Sequence, residues 1–238
     1  MDIKNSVVLV TGANRGLGLA LVEALKQAGA AKIYAAARDP SSVKSEGVTP
    51  VALDVTSTDS IAAAAKACPD VTMVINNAGI SRSGVLLSPD GLDALAAEMQ
   101  TNFYGPLLVS RAFAPVLAKN GGGALVNVLS VLSWLSLPGT ATYSVSKAAA
   151  WALTNGLRNE LREQGTQVVA VHVGLMETDM TAGIEAPKTS PKDVAETILR
   201  TVQAGGLEVL ADDTSRAVKA SLSSPDKAVY LAPPMAAG

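Results

Sequence analysis

Tyr143 and Lys147 stand four residues apart in TATYSVSKAAAWAL (140–153), a stretch whose small and apolar residues otherwise suit a packed helix. At that spacing both side chains leave one helical face. Neutral tyrosine offers lysine no ion pair. An ammonium beside a phenol favours phenolate, however, and so lowers a pKa that is about 10 when unperturbed. A phenol brought toward neutrality can give a proton to a carbonyl oxygen or take one from an alcohol. The bland alternative is a tyrosine that anchors the helix and a lysine that reaches solvent along its stem.

A second candidate is the glycine-rich stretch TGANRGLG (11–18). Gly12, Gly16 and Gly18 permit a tight turn, close backbone approach to a phosphate, and close packing of helix on strand. The stretch follows a β-branched run and opens an alanine- and leucine-rich one, so helical N–H groups face the turn and make an anion site. Its spacing is neither the common G-x-G-x-x-G fingerprint nor a Walker loop, since no Gly-Lys-Ser/Thr follows.

Positioning these residues requires a sheet. The runs 6–10, 32–36, 49–53, 71–75, 124–129, 167–173 and 207–211 read as strands with little alternation, as expected when both faces are covered. Helices are expected over 17–28, 58–67, 93–118 (with a break near 101), 142–163 and 191–203. The β-α-β order predicts an α/β, Rossmann-type doubly wound parallel sheet of about seven strands with helices on both faces, in a single domain over 1–238. Residues 181–190 read as a short lid and 223–238 as an irregular tail.

Composition narrows the class. The 238 residues are 48% apolar and 17% charged, with a net charge of −2. That balance gives no basic stripe for nucleic acid and no polybasic membrane patch. The single Cys68 forms no internal disulfide, and no apolar run reaches the roughly 20 residues of a membrane span, so a cytoplasmic protein is expected. His172, the one histidine, lacks clustered ligands and reads as core or pocket wall, and no metal site is legible. No G-x-S-x-G elbow supports a serine hydrolase.

The glycine turn is joined by NNAG (76–79), by Asn102 in TNFYG, by Ser130 thirteen residues before Tyr143, and by Tyr-x-x-x-Lys. In this order and at these spacings the set resembles the short-chain dehydrogenase/reductase family along nearly the whole chain. The resemblance implies NADP(H) as cofactor and a small carbonyl or alcohol as substrate. It assigns Asn102, Ser130, Tyr143 and Lys147 to catalysis, with Asn102 bending its helix and holding a water. It also places Thr11, Gly12, Asn14, Arg15, Gly16, Leu17 and Gly18 at the cofactor phosphates, Asp54 and Val55 at the adenine, and Asn77, Ala78 and Gly79 along the cofactor, with Asn76 more structural. Lys147 would also hold the nicotinamide ribose. After the sixth strand the family pattern is Pro-Gly, and here Val173 replaces the proline; Gly174, Met176 and Thr178 are expected near the carboxamide. Where NAD-preferring enzymes carry an acid, this chain has Ala37 followed by Arg38. Arg38 and Arg15 together suit a 2′-phosphate. Carbonyl reduction is the expected activity, with a 3-oxoacyl-carrier-protein reductase and a non-catalytic NADP(H) sensor as alternatives. The family pairs its helices at 100–117 and 146–161 across a two-fold axis, which implies a homodimer or homotetramer.

Overall fold

The computed structural model of the chain describes residues 1–82, 84–224 and 230. Strands β1 (Val7–Thr11), β2 (Lys32–Ala37), β3 (Thr49–Ala52), β4 (Met73–Asn76), β5 (Ala124–Val128), β6 (Gln167–His172) and β7 (Glu208–Leu210) form one parallel sheet in the order β3-β2-β1-β4-β5-β6-β7. The chain leaves β1 in one direction to build β2 and β3, and in the other to build β4 through β7. Between β1 and β4 the connections therefore diverge and open a crevice at the carboxyl ends.

Alternate residues of the strands feed two cores. Val8 and Val10 face a layer made by α1 (Gly16–Gln27) and α6 (Pro191–Gln203), with Leu21, Leu25, Ile198 and Val202 buried in it. Leu9, Val74 and Leu125 face the opposite layer, made by α2 (Thr58–Ala67), α4 (Gly105–Lys119) and α5 (Ala141–Glu160). Burying a residue such as Phe113 or Leu117 fully stabilises the fold by about 1.5–3 kcal/mol each. A buried amide chain ties the second layer to the sheet. Asn76 Nδ2 donates to Asn127 Oδ1 at 2.8 Å, and Asn127 Nδ2 donates to Thr154 Oγ1 at 3.0 Å. Asn76 is thus structural, as expected.

Two elements differ from the sequence expectation. The single helix expected over 93–118 is α3 (Gly91–Met99) and α4 joined by a π-helical stretch at Gln100–Tyr104. Pro106 has no N–H to give the Asn102 carbonyl four residues earlier, so the regular ladder breaks there. A further helix, α7 (Asp213–Ser221), follows β7 in a stretch for which no helix was expected. Asp212 and Ser215 cap it reciprocally. Of the tail expected to be irregular, 225–229 and 231–238 lie outside the described residues.

Candidate active site

The crevice gathers residues from the ends of β1, β4, β5 and β6. After β1 the backbone turns at Gly12 (φ 64°) and Gly16 (φ 52°) before entering α1. Both values lie in the left-handed region open to glycine. Gly18 lets the helix sit on the turn: a Cβ there would stand 2.0 Å from Gly12 O and 2.7 Å from Asn77 Nδ2. Asn77 stitches β4 to the turn by donating Nδ2 to Thr11 O at 2.9 Å and to Gly12 O at 3.2 Å. Thr11 Oγ1 accepts from the Asn77 and Ala78 amides, both at 3.0 Å. This close-packed turn, with bare backbone at Gly12 and Gly16 before the N-terminus of α1, fits the phosphates of a dinucleotide. Leu17 stands at the start of α1. Its side chain is buried in the α1–α6 core, so only its backbone can face a ligand.

Arg38 is exposed just past β2, close enough to Asp54 to help hold that carboxyl below its usual range. The larger cause is Thr56, whose N–H and hydroxyl both donate to Asp54 Oδ1. Val55 is buried, and a Cβ on Gly105 would lie 3.1 Å from its Cγ2, so its side chain packs toward α4. Asp39 starts a turn at Pro40, its Oδ1 accepting from Ser41 N, as expected.

The loop after β6 closes the other side. A Cβ on Gly16 would lie 3.4 Å from Thr178 Cγ2, and the exposed pair Arg15–Asp179 spans the crevice at 3.0 Å. Val173 leaves the loop anchored despite the absent proline, because its carbonyl accepts from Val131 N at 2.9 Å. Gly174 N donates to Asp212 Oδ2 at 2.6 Å, a support that sequence reasoning missed. Met176 packs against the core and bridges to Thr189, which ties the C-terminal end of the expected lid to the loop after β6.

At the base of the crevice, Ser130 follows β5 and Tyr143 and Lys147 face it from α5. Lys147 is 5% exposed; its Nζ donates to Val128 O at 2.9 Å and stands 5.7 Å from the Tyr143 ring centroid. Burial lowers its pKa from 10.5 to about 8. The phenol does not follow the expectation drawn from the spacing. Burial pushes its pKa well above the ordinary value; a hydrogen bond with the Ser130 hydroxyl opposes that rise, and Glu98 adds to it. Desolvation of a phenolate outweighs an ammonium that is itself desolvated and turned to a carbonyl. In the chain alone, Tyr143 therefore keeps its proton.

Ser130 is set by a network that the sequence did not reveal. Ser133 Oγ donates to Ser130 O at 2.6 Å, and His172 Nδ1 lies 3.0 Å from Ser133 Oγ and 3.2 Å from Ser130 O. With the Ser133 proton committed to the carbonyl, the network assigns the imidazole proton to Nδ1. Burial lowers the His172 pKa to about 4, so the 3.8 Å approach of Glu208 is not an ion pair at neutral pH. Trp134 stacks on the imidazole with centroids 3.7 Å apart and meets Trp151 edge-on. Asn102 is buried in the π-helical stretch, and both its amide protons are taken, by Ile80 O at 2.9 Å and Ser146 Oγ at 3.0 Å. Gly79 sits between, where a Cβ would be 3.2 Å from Asn102 Oδ1 and 3.7 Å from Lys147 Nζ. Among the described residues no three His, Cys, Asp or Glu side chains cluster as metal ligands, and no helix is long and apolar enough to cross a membrane.

Known proteins share this arrangement. A crystal structure of a short chain dehydrogenase from Burkholderia cenocepacia J2315 in complex with NADP matches with a TM-score of 0.93 and 37% identity, over 97% of this chain and 98% of that one. The 3-oxoacyl-(acyl-carrier-protein) reductase FabG of Vibrio cholerae serotype O1 is 33% identical over 194 residues, 77% of this chain and 79% of that protein. An uncharacterized oxidoreductase of Staphylococcus saprophyticus is 26% identical over 85% of this chain and 93% of its own. The family model described as short chain dehydrogenase matches residues 6–189. With the parallel sheet, the glycine turn and the facing Tyr143 and Lys147, this match establishes that the chain belongs to the short chain dehydrogenase family.

Proposed function

We propose that the protein is an NADPH-dependent carbonyl reductase, equally an NADP-linked secondary alcohol dehydrogenase, acting on a small ketone or aldehyde. The observation that carries the reading is the juxtaposition of Tyr143 and the buried Lys147, on one face of α5, with Ser130 at the base of the β1–β4 crevice. When bound, the nicotinamide supplies hydride to the substrate carbon. Ser130 holds the carbonyl oxygen, and Tyr143 gives that oxygen its proton as charge develops there. Lys147 offers its donors to a ribose, and its charge compensates the phenolate left behind. A phenol that holds its proton in the resting chain suits the acid role in reduction. The family relative crystallised with NADP, and Arg15 and Arg38 at the turn and past β2, support the phosphorylated cofactor. Half-buried Phe103 and Leu107 and exposed Tyr104 and Val145 leave apolar surface on the helices that the family pairs, which supports a homodimer or homotetramer. Buried Cys68, its thiol pushed up to about 11 by desolvation, suits a reducing cytoplasm.

The test is the fall of NADPH absorbance with acetophenone, cyclohexanone, ethyl acetoacetate and a 3-oxoacyl thioester. Tyr143→Phe is expected to bind NADPH as the native chain does and to lose about 100-fold or more in kcat; near-native turnover by that variant refutes the assignment. The resemblance to FabG favours one rival, a 3-oxoacyl-carrier-protein reductase. A kcat/KM for the thioester far above those for the free ketones would replace the first reading by this one.

A further inference from the structure

Ser130 stands two residues past the last β5–β6 pair, Val128 with Val171. Its carbonyl is held by side chains as well as by the turn that follows. Ser133 donates to it twice, from its N–H at 3.0 Å and from Oγ at 2.6 Å. His172, at the end of β6, brings Nδ1 to 3.2 Å from the same oxygen and 3.0 Å from Ser133 Oγ. The Ser130 hydroxyl faces the same turn, accepting from Leu132 N at 3.1 Å and reaching Val173 O at 3.4 Å. Carbonyl and side chain hang from one Cα, so donors that fix the first limit where the hydroxyl can stand.

A core histidine with no further task is the bland account, and its hydrogen bonding argues against it. His172 is fully buried, yet Nε2 has no hydrogen-bond partner among the described residues. Glu208 Oε1, at 3.8 Å, is beyond hydrogen-bond reach and is itself held by Lys219 Nζ at 2.8 Å. Trp134 covers the imidazole face, with Lys219 Nζ 4.9 Å from the indole ring centroid. The indole Nε1 is also buried without a partner among the described residues. Two orphaned ring nitrogens destabilise the fold, and an apolar pair of similar shape would avoid both. What the histidine adds is one donor, Nδ1–H, within reach of the Ser130 carbonyl.

We propose that His172 and Ser133 are positioning residues: together they hold the Ser130 carbonyl, and through it they place the hydroxyl that holds the substrate oxygen. Trp134, stacked on the imidazole, keeps the ring oriented for that bond. The proposal rests on Ser130 as the residue that holds the substrate oxygen, and adds to that reading the groups that place it.

The experiment uses the full chain with saturating NADPH and whichever panel ketone is reduced fastest, slow variants being read as single turnovers with enzyme in excess. His172→Leu fills the site without a donor, whereas His172→Asn keeps an amide N–H near the place of Nδ1. His172→Leu is expected to lower kcat roughly tenfold with the NADPH Kd within about twofold, and His172→Asn to stand roughly threefold or more above it. Ser133→Ala removes the other side-chain donor and leaves the ring; a fall in kcat of roughly threefold or more is expected. The deciding comparison is made in Ser130→Ala, itself expected roughly 100-fold below the native rate. There neither substitution should cost more than about twofold, because the group they place is gone. A packing role would cost the same factor in both backgrounds, and that result overturns the proposal. So does a native kcat in His172→Leu, or His172→Asn no better than His172→Leu. Thermal melts establish that each variant is folded, and if His172→Leu is not, the Ser133→Ala comparison decides. If Ser130→Ala turns over at the native rate, the reading of Ser130 fails. If it is impaired while the factors simply multiply, only the positioning proposal fails.

Discussion

Replacing Lys147 by methionine isolates the free energy of burying an ammonium. The side chain is 5% exposed, and burial takes its pKa from 10.5 to about 8. At about 1.4 kcal/mol per tenfold change, holding that charge in the fold costs roughly 3 kcal/mol relative to the unfolded chain. The sign follows from proton counts. Between about 8 and 10.5 the unfolded chain binds more protons than the folded one at this site, so stability rises with pH through that window. Below about 8 the full cost is present. Methionine fills a similar volume without the charge, but it forfeits the 2.9 Å bond to Val128 O, an interaction of about 1.5–3 kcal/mol for a charged donor. The two terms nearly offset at neutral pH, where Lys147→Met should be as stable as the native chain or more so by up to about 1.5 kcal/mol. The double difference is cleaner: from near pH 7 to near pH 10 the native protein should gain most of roughly 3 kcal/mol relative to the variant. Urea unfolding of the cofactor-free proteins, followed by fluorescence of Trp134 and Trp151, measures it. Parallel stability–pH curves for the two proteins would refute the claim that Lys147 is charged and desolvated in the fold.

Three further outcomes can be checked. Gly18→Ala places a Cβ 2.0 Å from Gly12 O, which forces α1 off the turn by about 1.5 Å to restore ordinary contact distance. About 1–3 kcal/mol of stability and roughly tenfold or more in NADPH affinity should be lost, and calorimetric titration giving a native Kd would contradict the packing argument. Arg38→Asp should lower kcat/KM for NADPH relative to NADH by roughly tenfold or more, because a guanidinium–phosphate attraction becomes a repulsion; an unaltered ratio removes Arg38 from the 2′-phosphate site. Asp212→Ala strips both the α7 cap and the acceptor of Gly174 N. A loss of about 2–3 kcal/mol in urea unfolding is expected, with weaker NADPH binding as the β6 loop loosens, and wild-type unfolding would show that the contact carries little.

The strands were readable because parallel strands covered on both faces appear as unbroken β-branched runs, and all seven expected runs coincide with strands to within about two residues. Helix α7 was not, because DTSRAVKAS is short and polar. Its one local signal was the Asp212–Ser215 capping pair. The break before α4 had a signal in Pro106, but the π-helical form of Gln100–Tyr104 depends on Asn102 reaching across to Ile80 and Ser146.

The candidate site divides along the same line. Sequence alone determined which chemistry-bearing residues exist and in what order: the glycine turn between a strand and a helix, the serine past β5, and tyrosine and lysine one helical turn apart. Those are local facts, set by spacing within single elements. Tertiary structure decided how each behaves. Tyr143 keeps its proton because desolvation by the assembled crevice outweighs the lysine four residues away. Asp212 and His172 carry no motif; each matters only because folding brings it against Gly174 or Ser130. Charge and hydrogen bonding act through space, and the distances that scale them do not exist until distant elements have packed.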